Sequence, residues 1–476
     1  MTLEGNVAAP SLPRQVVTYA GGIAILSGAG LVAVPIYARV LQPTAFGVVE
    51  TMSALLQLAV AVLLLGFDSA LAIRLHGGST DRRAILTTAL ALPLAAALIA
   101  SVSAVAVAGS LTSALFGTDA HTLAIVVAGV AITPAVLHAL SVTALRHLMR
   151  PTVYLWATIA YAVGMLGVGV PAVLMGAGTV GPLLGLAAGA TMAAAVAVFG
   201  IRSYIAPKQI GSAAAGSLLR IGVPLIPAAA LAWILAASGR LWVLAFSSLT
   251  DVGLYSAASK LALVGAFLVS AIMLAWNPHA LAMQHRPDAR RRYADALTMF
   301  VAGSGALLVL ATPWSAAAIG LLAGDAFVAG ASAVWLLLAS AFVYGAYAMV
   351  AVGAQVAERT ALISLTTAFA VGVNVVASVA LVPRLGFVGA AVATLLGYLA
   401  STLALFVVAQ RVYPVPYPTM RLLVVTVGAL SASGLLAWRA EADLAAIGTS
   451  AGVAGVLCWT ALPALRRLRH SFVPTR

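Results

Sequence analysis

The chain has 476 residues, 63% hydrophobic and only 8% charged, with a formal net charge of +13. A soluble domain carries roughly 25% charged residues on its surface, so a water-soluble globular protein is excluded. A single cysteine, Cys458, also rules out an internal disulfide and reads as a small apolar filler.

Apolar runs of about 20 residues recur along the whole length, each able to cross a ~30 Å hydrocarbon layer as a helix. No ten-residue alternating pattern suggests a barrel, and lipid leaves helices as the other way to satisfy the backbone. The expected fold is an all-α polytopic membrane protein. The first run starts near Val16, after a short polar segment, and is too long for a signal-peptide core, so it is kept as the first span. Fourteen spans are expected in all. The first seven cover roughly 16–38, 45–66, 84–109, 122–143, 152–175, 180–201 and 219–246. The others cover roughly 253–277, 295–321, 327–353, 360–382, 387–410, 420–438 and 444–463. The breaks carry turn chemistry or charge, as in "LHGGSTDRR", "HRPDARRR" and "RVYPVPYP".

Cations sort by side. With the N-terminus inside, 20 of the 25 Lys and Arg residues fall in inner segments, among them Arg82, Arg83, Arg146, Arg150 and Arg290 to Arg292. Only Arg39, Arg384 and Arg439 fall in outer loops, and Arg240 and Lys260 lie inside spans. This distribution predicts cytoplasmic termini. It accounts for most of the basic excess without any nucleic-acid partner.

The chain also repeats. "AFGVVETMSALL" from Ala45 resembles "DVGLYSAASKLA" from Asp251, "AYAVG" ending at Gly164 resembles "AFAVG" ending at Gly372, and "GTVG" from Gly178 resembles "GFVG" from Gly386. The offset is 206 to 208 residues each time, a separation of six spans. Six is even, so the halves share one orientation about an axis along the membrane normal. The expected organisation is an N-lobe over 1–205, a C-lobe over 206–412, and two extra helices with a basic tail over 413–476. Substrate pathways in such proteins lie between the lobes.

Arg240 sits toward the outer end of span seven, and Lys260 about two turns into span eight on the same side. A cation at a helix centre costs ~2.5–3.5 kcal/mol, so it faces a partner or a wet cavity, or else snorkels to the headgroups. Two cations at similar depth on consecutive helices favour a shared cavity. Glu50, inside span two, is either a structural partner of Arg39 or Arg240, or a proton or substrate group. The cationic balance favours an anionic cargo, whereas a cation exporter would need carboxylates along its path. Arg146 and His147, at the inner end of span four, are weaker candidates for a headgroup phosphate, and Tyr344 and Tyr347 for stacking on sugar rings. The seven histidines show no metal-ligand spacing, and no H-E-x-x-H, nucleophile elbow or Walker A motif appears. The expectation is a non-enzyme without cofactor or metal.

The segment from "LLRIGVPLIPAAALAWILAASGRLWVLAFSSLTDVGLYSAASKLA" to "AWNPHA" resembles the middle of the polysaccharide transporter family. These are the oligosaccharide-lipid flippases of the multidrug/oligosaccharidyl-lipid/polysaccharide flippase superfamily. Arg240, Gly253, Tyr255, Ser256, Ala258, Lys260 and Pro278 match its pattern there. "RVLQPTAFGVV" resembles its first loop, and "LVPRLGFVGAAVATLLGYL" its junction between helices eleven and twelve. The likeness covers nearly all of 14–412. One departure stands out: Gly239 replaces the Asp that usually precedes Arg240.

The resemblance implies a flippase that moves undecaprenyl-pyrophosphate-linked repeat units to the outer leaflet of a bacterial cytoplasmic membrane by alternating access. Arg240, Lys260, Glu50, Arg39, Arg146 and Tyr255 would contact the substrate. The implied partners are the lipid-linked oligosaccharide, membrane lipids, and cytoplasmic glycosyltransferases and polymerase. Two other readings are a multidrug or small-metabolite extruder of the same fold, and a non-transporting scaffold for glycosyltransferases.

Overall fold

The computed structural model describes residues 12–76, 81–359, 361–438 and 444–471, and every regular element among them is helical. Eleven helices in these residues are long and apolar enough to cross a membrane. Large apolar side chains stay exposed on them, such as Leu174, Leu321 and Trp459, as hydrocarbon rather than water permits. The protein is a multi-pass α-helical membrane protein. Its contacts separate two compact units, Met1–Trp233 and Ile234–Arg476.

In the first unit, α1 (Leu12–Leu63) is too long for one crossing and breaks at Gln42, whose φ is 61°, just before Pro43. Its two arms cover the first two expected spans. After α2 (Phe67–His76), α3 (Arg82–Ala106) starts at Asp81, whose carboxylate accepts the Ala84 N–H at 3.0 Å. Then come α4 (Ala108–Phe116), α5 (Thr122–His147), α6 (Pro151–Leu174), α7 (Val180–Ile201) and α8 (Ser212–Gly222). Phe67, Leu86, Leu140, Leu145 and Leu218 share one core, which ties α8 to α2, α3 and α5.

Close backbone approach sets the α6–α7 seam. A Cβ on Gly185 would sit 2.6 Å from the Met165 carbonyl oxygen and 2.8 Å from Gly169 Cα. Small residues of this kind let membrane helices gain dispersion contact that Leu against lipid cannot. Gly185→Leu therefore lowers the unfolding midpoint in detergent, by the equivalent of ~1–3 kcal/mol. Gly167→Ala, which has open space around it, leaves the midpoint unchanged.

The expected seventh span, 219–246, is corrected: it is not one helix. A 3₁₀ turn at Val223–Leu225 follows α8, then α9 (Ile226–Ala237) and, past a bend at Ser238, α10 (Gly239–Phe246). Pro224 and Pro227 each remove a backbone donor. The Ser238 hydroxyl donates to the Ile234 carbonyl at 2.5 Å, which bends the chain before Gly239.

The second unit continues with α11 (Leu249–Ala282), α12 (Ala289–Ala311), α13 (Ser315–Ala323), α14 (Ala331–Val356) and α15 (Ala361–Val412). Ser248 caps α11 by accepting the Asp251 N–H at 3.1 Å. Like α1, α15 is two spans merged, broken at Gly386 with φ 56°. The final helices, α16 (Thr419–Trp438) and α17 (Leu444–Ser471), pack on α12 through Val309, Val425 and Leu457.

The repeat read from sequence has a counterpart in local geometry. Gly178 and Gly386, 208 residues apart, both take a left-handed backbone, with φ of 54° and 56°. Three residues on in each case, glycine lets two helices touch. A Cβ on Gly181 would lie 2.9 Å from Val173 N, and one on Gly389 would lie 2.9 Å from Val382 N. The α6–α7 hairpin and the two arms of α15 are thus one design used twice.

One ion pair fixes the C-terminal helix. Asp295 on α12 is nearly buried, and Arg467 of α17 donates to it through Nε, at 3.1 Å to each oxygen, and through Nη2. Arg467→Ala leaves that carboxylate without its fork. The expected result is an unfolding midpoint in detergent lowered by ~1–3 kcal/mol, below the figure for a fully buried pair because Arg467 is half exposed.

Candidate functional site

The bend at Ser238 leads α10 along the start of α11, and Arg240 reaches α11 there. Arg240 donates through Nε to Ser256 Oγ and through Nη2 to Ser259 Oγ, both at 3.2 Å. Ser259 in turn donates to the Ser256 carbonyl at 2.8 Å. Lys260 follows on the Ser256 face, one turn and roughly 6 Å further along α11. Arg240, Ser259 and Lys260 are all half-buried. The planar guanidinium fork is thereby oriented by two hydroxyls. A pair of fixed cations with hydroxyls between them can hold a phosphate or a sugar acid.

Tyr255 is not on that surface. It is 5% exposed, its hydroxyl lies 3.4 Å from Thr394 Oγ1, and its ring fills the space beside Gly239. A Cβ on Gly239 would stand 2.7 Å from Tyr255 Cζ. In this chain the ring occupies the volume that an aspartate side chain at position 239 would need. Tyr255 positions α10 against α11 and α15 and so sets where Arg240 points.

The other expected site residues belong to the first unit. Glu50 is buried in the second arm of α1, and Arg39 is exposed just before the Gln42 break, where its carbonyl accepts Gln42 Nε2 at 3.1 Å. Neither residue is without an interaction. Arg146 lies at the opposite end, exposed, donating to Thr143 Oγ1 at 3.0 Å. Tyr19 stacks edge-on against Tyr154 near that end, with 4.9 Å between centroids. That contact puts Arg146 about 30 Å from Arg39 along α1. These three residues therefore do not form one site.

Among the described residues no cluster of His, Cys, Asp or Glu could hold a metal ion. Tyr344 and Tyr347 do share a face, with centroids 6.2 Å apart, but Tyr347 is occupied by Thr367 Oγ1 at 3.0 Å. The sequence reading missed Ser259, because a serine in an apolar run carries no signal until the helix crossing is known.

Between α12 and α11 the basic loop is organised by acid. Arg292 donates to Asp288 at 2.6 Å and Arg286 does so at 3.2 Å. The hydrogen bond from Arg292 holds the Asp288 carboxyl below its ordinary value. A lowered carboxyl pKa stabilises above the unfolded value and is lost as pH falls through the folded one. The loop therefore keeps its form at neutral pH.

No curated protein matches the chain at a significant level. Among solved structures, the lipid II flippase MurJ in an inward closed conformation superposes with a TM-score of 0.73 at 13% identity, covering 95% of this chain and 99% of that one. An inward-facing multidrug resistance MATE family transporter of the MOP superfamily gives 0.63 at 15% identity, covering 86% and 98%. An outward-facing MATE structure gives 0.55 at 15%, covering 87% and 95%. At these identities the likeness establishes a shared transporter fold. A family model described as "Polysaccharide biosynthesis protein" matches residues 36–302, more than half of the length, and the chain belongs to that family.

Proposed function

We propose that the protein is a flippase for a lipid-linked oligosaccharide, moving a repeat unit from the inner to the outer leaflet of a bacterial cytoplasmic membrane by alternating access. What supports this reading is Arg240 of α10, held by Ser256 and Ser259 of α11 with Lys260 one turn beyond Ser256, within the apolar part of a polysaccharide biosynthesis family member. Sugar hydroxyls crossing hydrocarbon without partners cost several kcal/mol each, so spontaneous flipping is negligible. Fixed cations offset the desolvation of a pyrophosphate. An interior-negative potential favours outward movement of an anion by ~2.3 kcal/mol per charge per 100 mV. The work is transport, with no bond made or broken in the cargo.

Removing the protein from its host tests the reading. The lipid-linked repeat unit should accumulate out of reach of a membrane-impermeant sugar label while its synthesis continues. Unchanged labelling from outside would refute it, and raised drug sensitivity with normal labelling would favour an extruder. Glycosyltransferases and a polymerase stay as proposed partners; the basic 286–292 loop is the surface that a scaffold role would use.

A further inference from the structure

A groove of about 710 Å³ runs along the exposed side of the α6–α7 seam, away from the α10–α11 surface in the chain. Its walls are apolar and open to the membrane: Trp156 is 60% exposed, Val163 53%, Met192 40% and Phe199 67%. One end is different. There Arg150 donates to the Gly200 carbonyl at 2.5 Å and lies 5.3 Å from the Tyr204 ring centre, while the Arg202 guanidinium sits 3.6 Å over Phe199. Both cations are held by neutral partners in a groove whose lining contains no carboxylate. From Arg150 to Val163 the groove runs about 20 Å, enough for the tail of a lipid in one leaflet, whose depth is half of the ~30 Å core.

We propose that this groove is a binding site for an anionic phospholipid of the leaflet that the arginine distribution assigns to the cytoplasm. The phosphate sits between Arg150 and Arg202, and one acyl chain lies along Trp156 and Val163. The groove is built from other helices than the proposed transport surface, and its test reads binding rather than transport. Charge complementarity chooses the occupant, because the groove offers two guanidinium groups at headgroup depth and only hydrocarbon above them.

The full-length protein in detergent is titrated with phosphatidylglycerol, and separately with phosphatidylcholine, and retained lipid is counted by native mass spectrometry. Wild type should retain phosphatidylglycerol in preference to phosphatidylcholine. Arg202→Gln should weaken phosphatidylglycerol about fivefold, the effect of one cation near a membrane surface, with no change for phosphatidylcholine. Ala160→Leu, which fills the groove without altering charge, should reduce phosphatidylglycerol by an independent route. Equal retention by wild type and both variants, or no preference between the two lipids, overturns the proposal. So does a site that takes undecaprenyl phosphate but not phosphatidylglycerol, which would make it part of the cargo path.

Discussion

Arg240→Ala, inserted normally, should lose polysaccharide export by about ten- to hundredfold, the effect expected from removing a charged hydrogen-bonding group worth ~1.5–3 kcal/mol. Lys260→Ala should follow in the same direction. The informative variant is Arg240→Lys. It keeps the charge but cannot reach Ser256 and Ser259 together, as the fork does through Nε and Nη2. Partial export is therefore expected, with Ser256→Ala/Ser259→Ala close to it. A cation that only snorkels to headgroups would give wild-type export in every one of these variants. Measurement of surface polysaccharide beside membrane abundance separates the outcomes.

The largest stability effect is expected from Gly239→Asp. It introduces the Asp of the transporter pattern that this segment resembles, and in this chain it should destabilise by ~3–5 kcal/mol. The Cβ alone would press on Tyr255, and the carboxylate would enter a buried position. Tyr255→Ala by itself opens a cavity and loses ~3–5 kcal/mol, as large-to-small aromatic changes do. The double variant should be more stable than the sum of the two losses, because loss of the ring makes room for the aspartate and the aspartate partly fills the cavity. Strict additivity would show that the ring and position 239 do not compete. Unfolding midpoints of the purified protein in detergent give the cycle.

Much of this architecture is legible because lipid restricts the options so severely. Apolar runs of one crossing's length, broken by charge or turn residues, become helices since nothing else satisfies their backbone. The repeat is legible through Gly178, Gly181, Gly386 and Gly389, for a physical reason: those positions need either a left-handed backbone or the absence of a Cβ. Continuity is harder to read. Hydropathy measures how long the 219–246 segment is, not whether it runs straight, and Pro224, Pro227 and Ser238 divide it. The cations stand out in an apolar run, but their company does not. Ser259 becomes Arg240's partner only through the angle between α10 and α11. Asp295 and Arg467 are 172 residues apart and meet only once α17 folds onto α12. Tyr255 matched a family motif, and nothing in the motif says that its ring would be spent on packing against Gly239.

The most direct test places the purified protein in vesicles with a labelled polyprenyl-pyrophosphate oligosaccharide and follows its transfer between leaflets, with and without an imposed potential. Transfer should be protein-dependent, faster when the receiving side is positive, and nearly abolished in Arg240→Ala/Lys260→Ala. Transfer no faster than in protein-free vesicles, or equal in wild type and the double variant, would contradict the assignment of a cationic transport surface to α10 and α11.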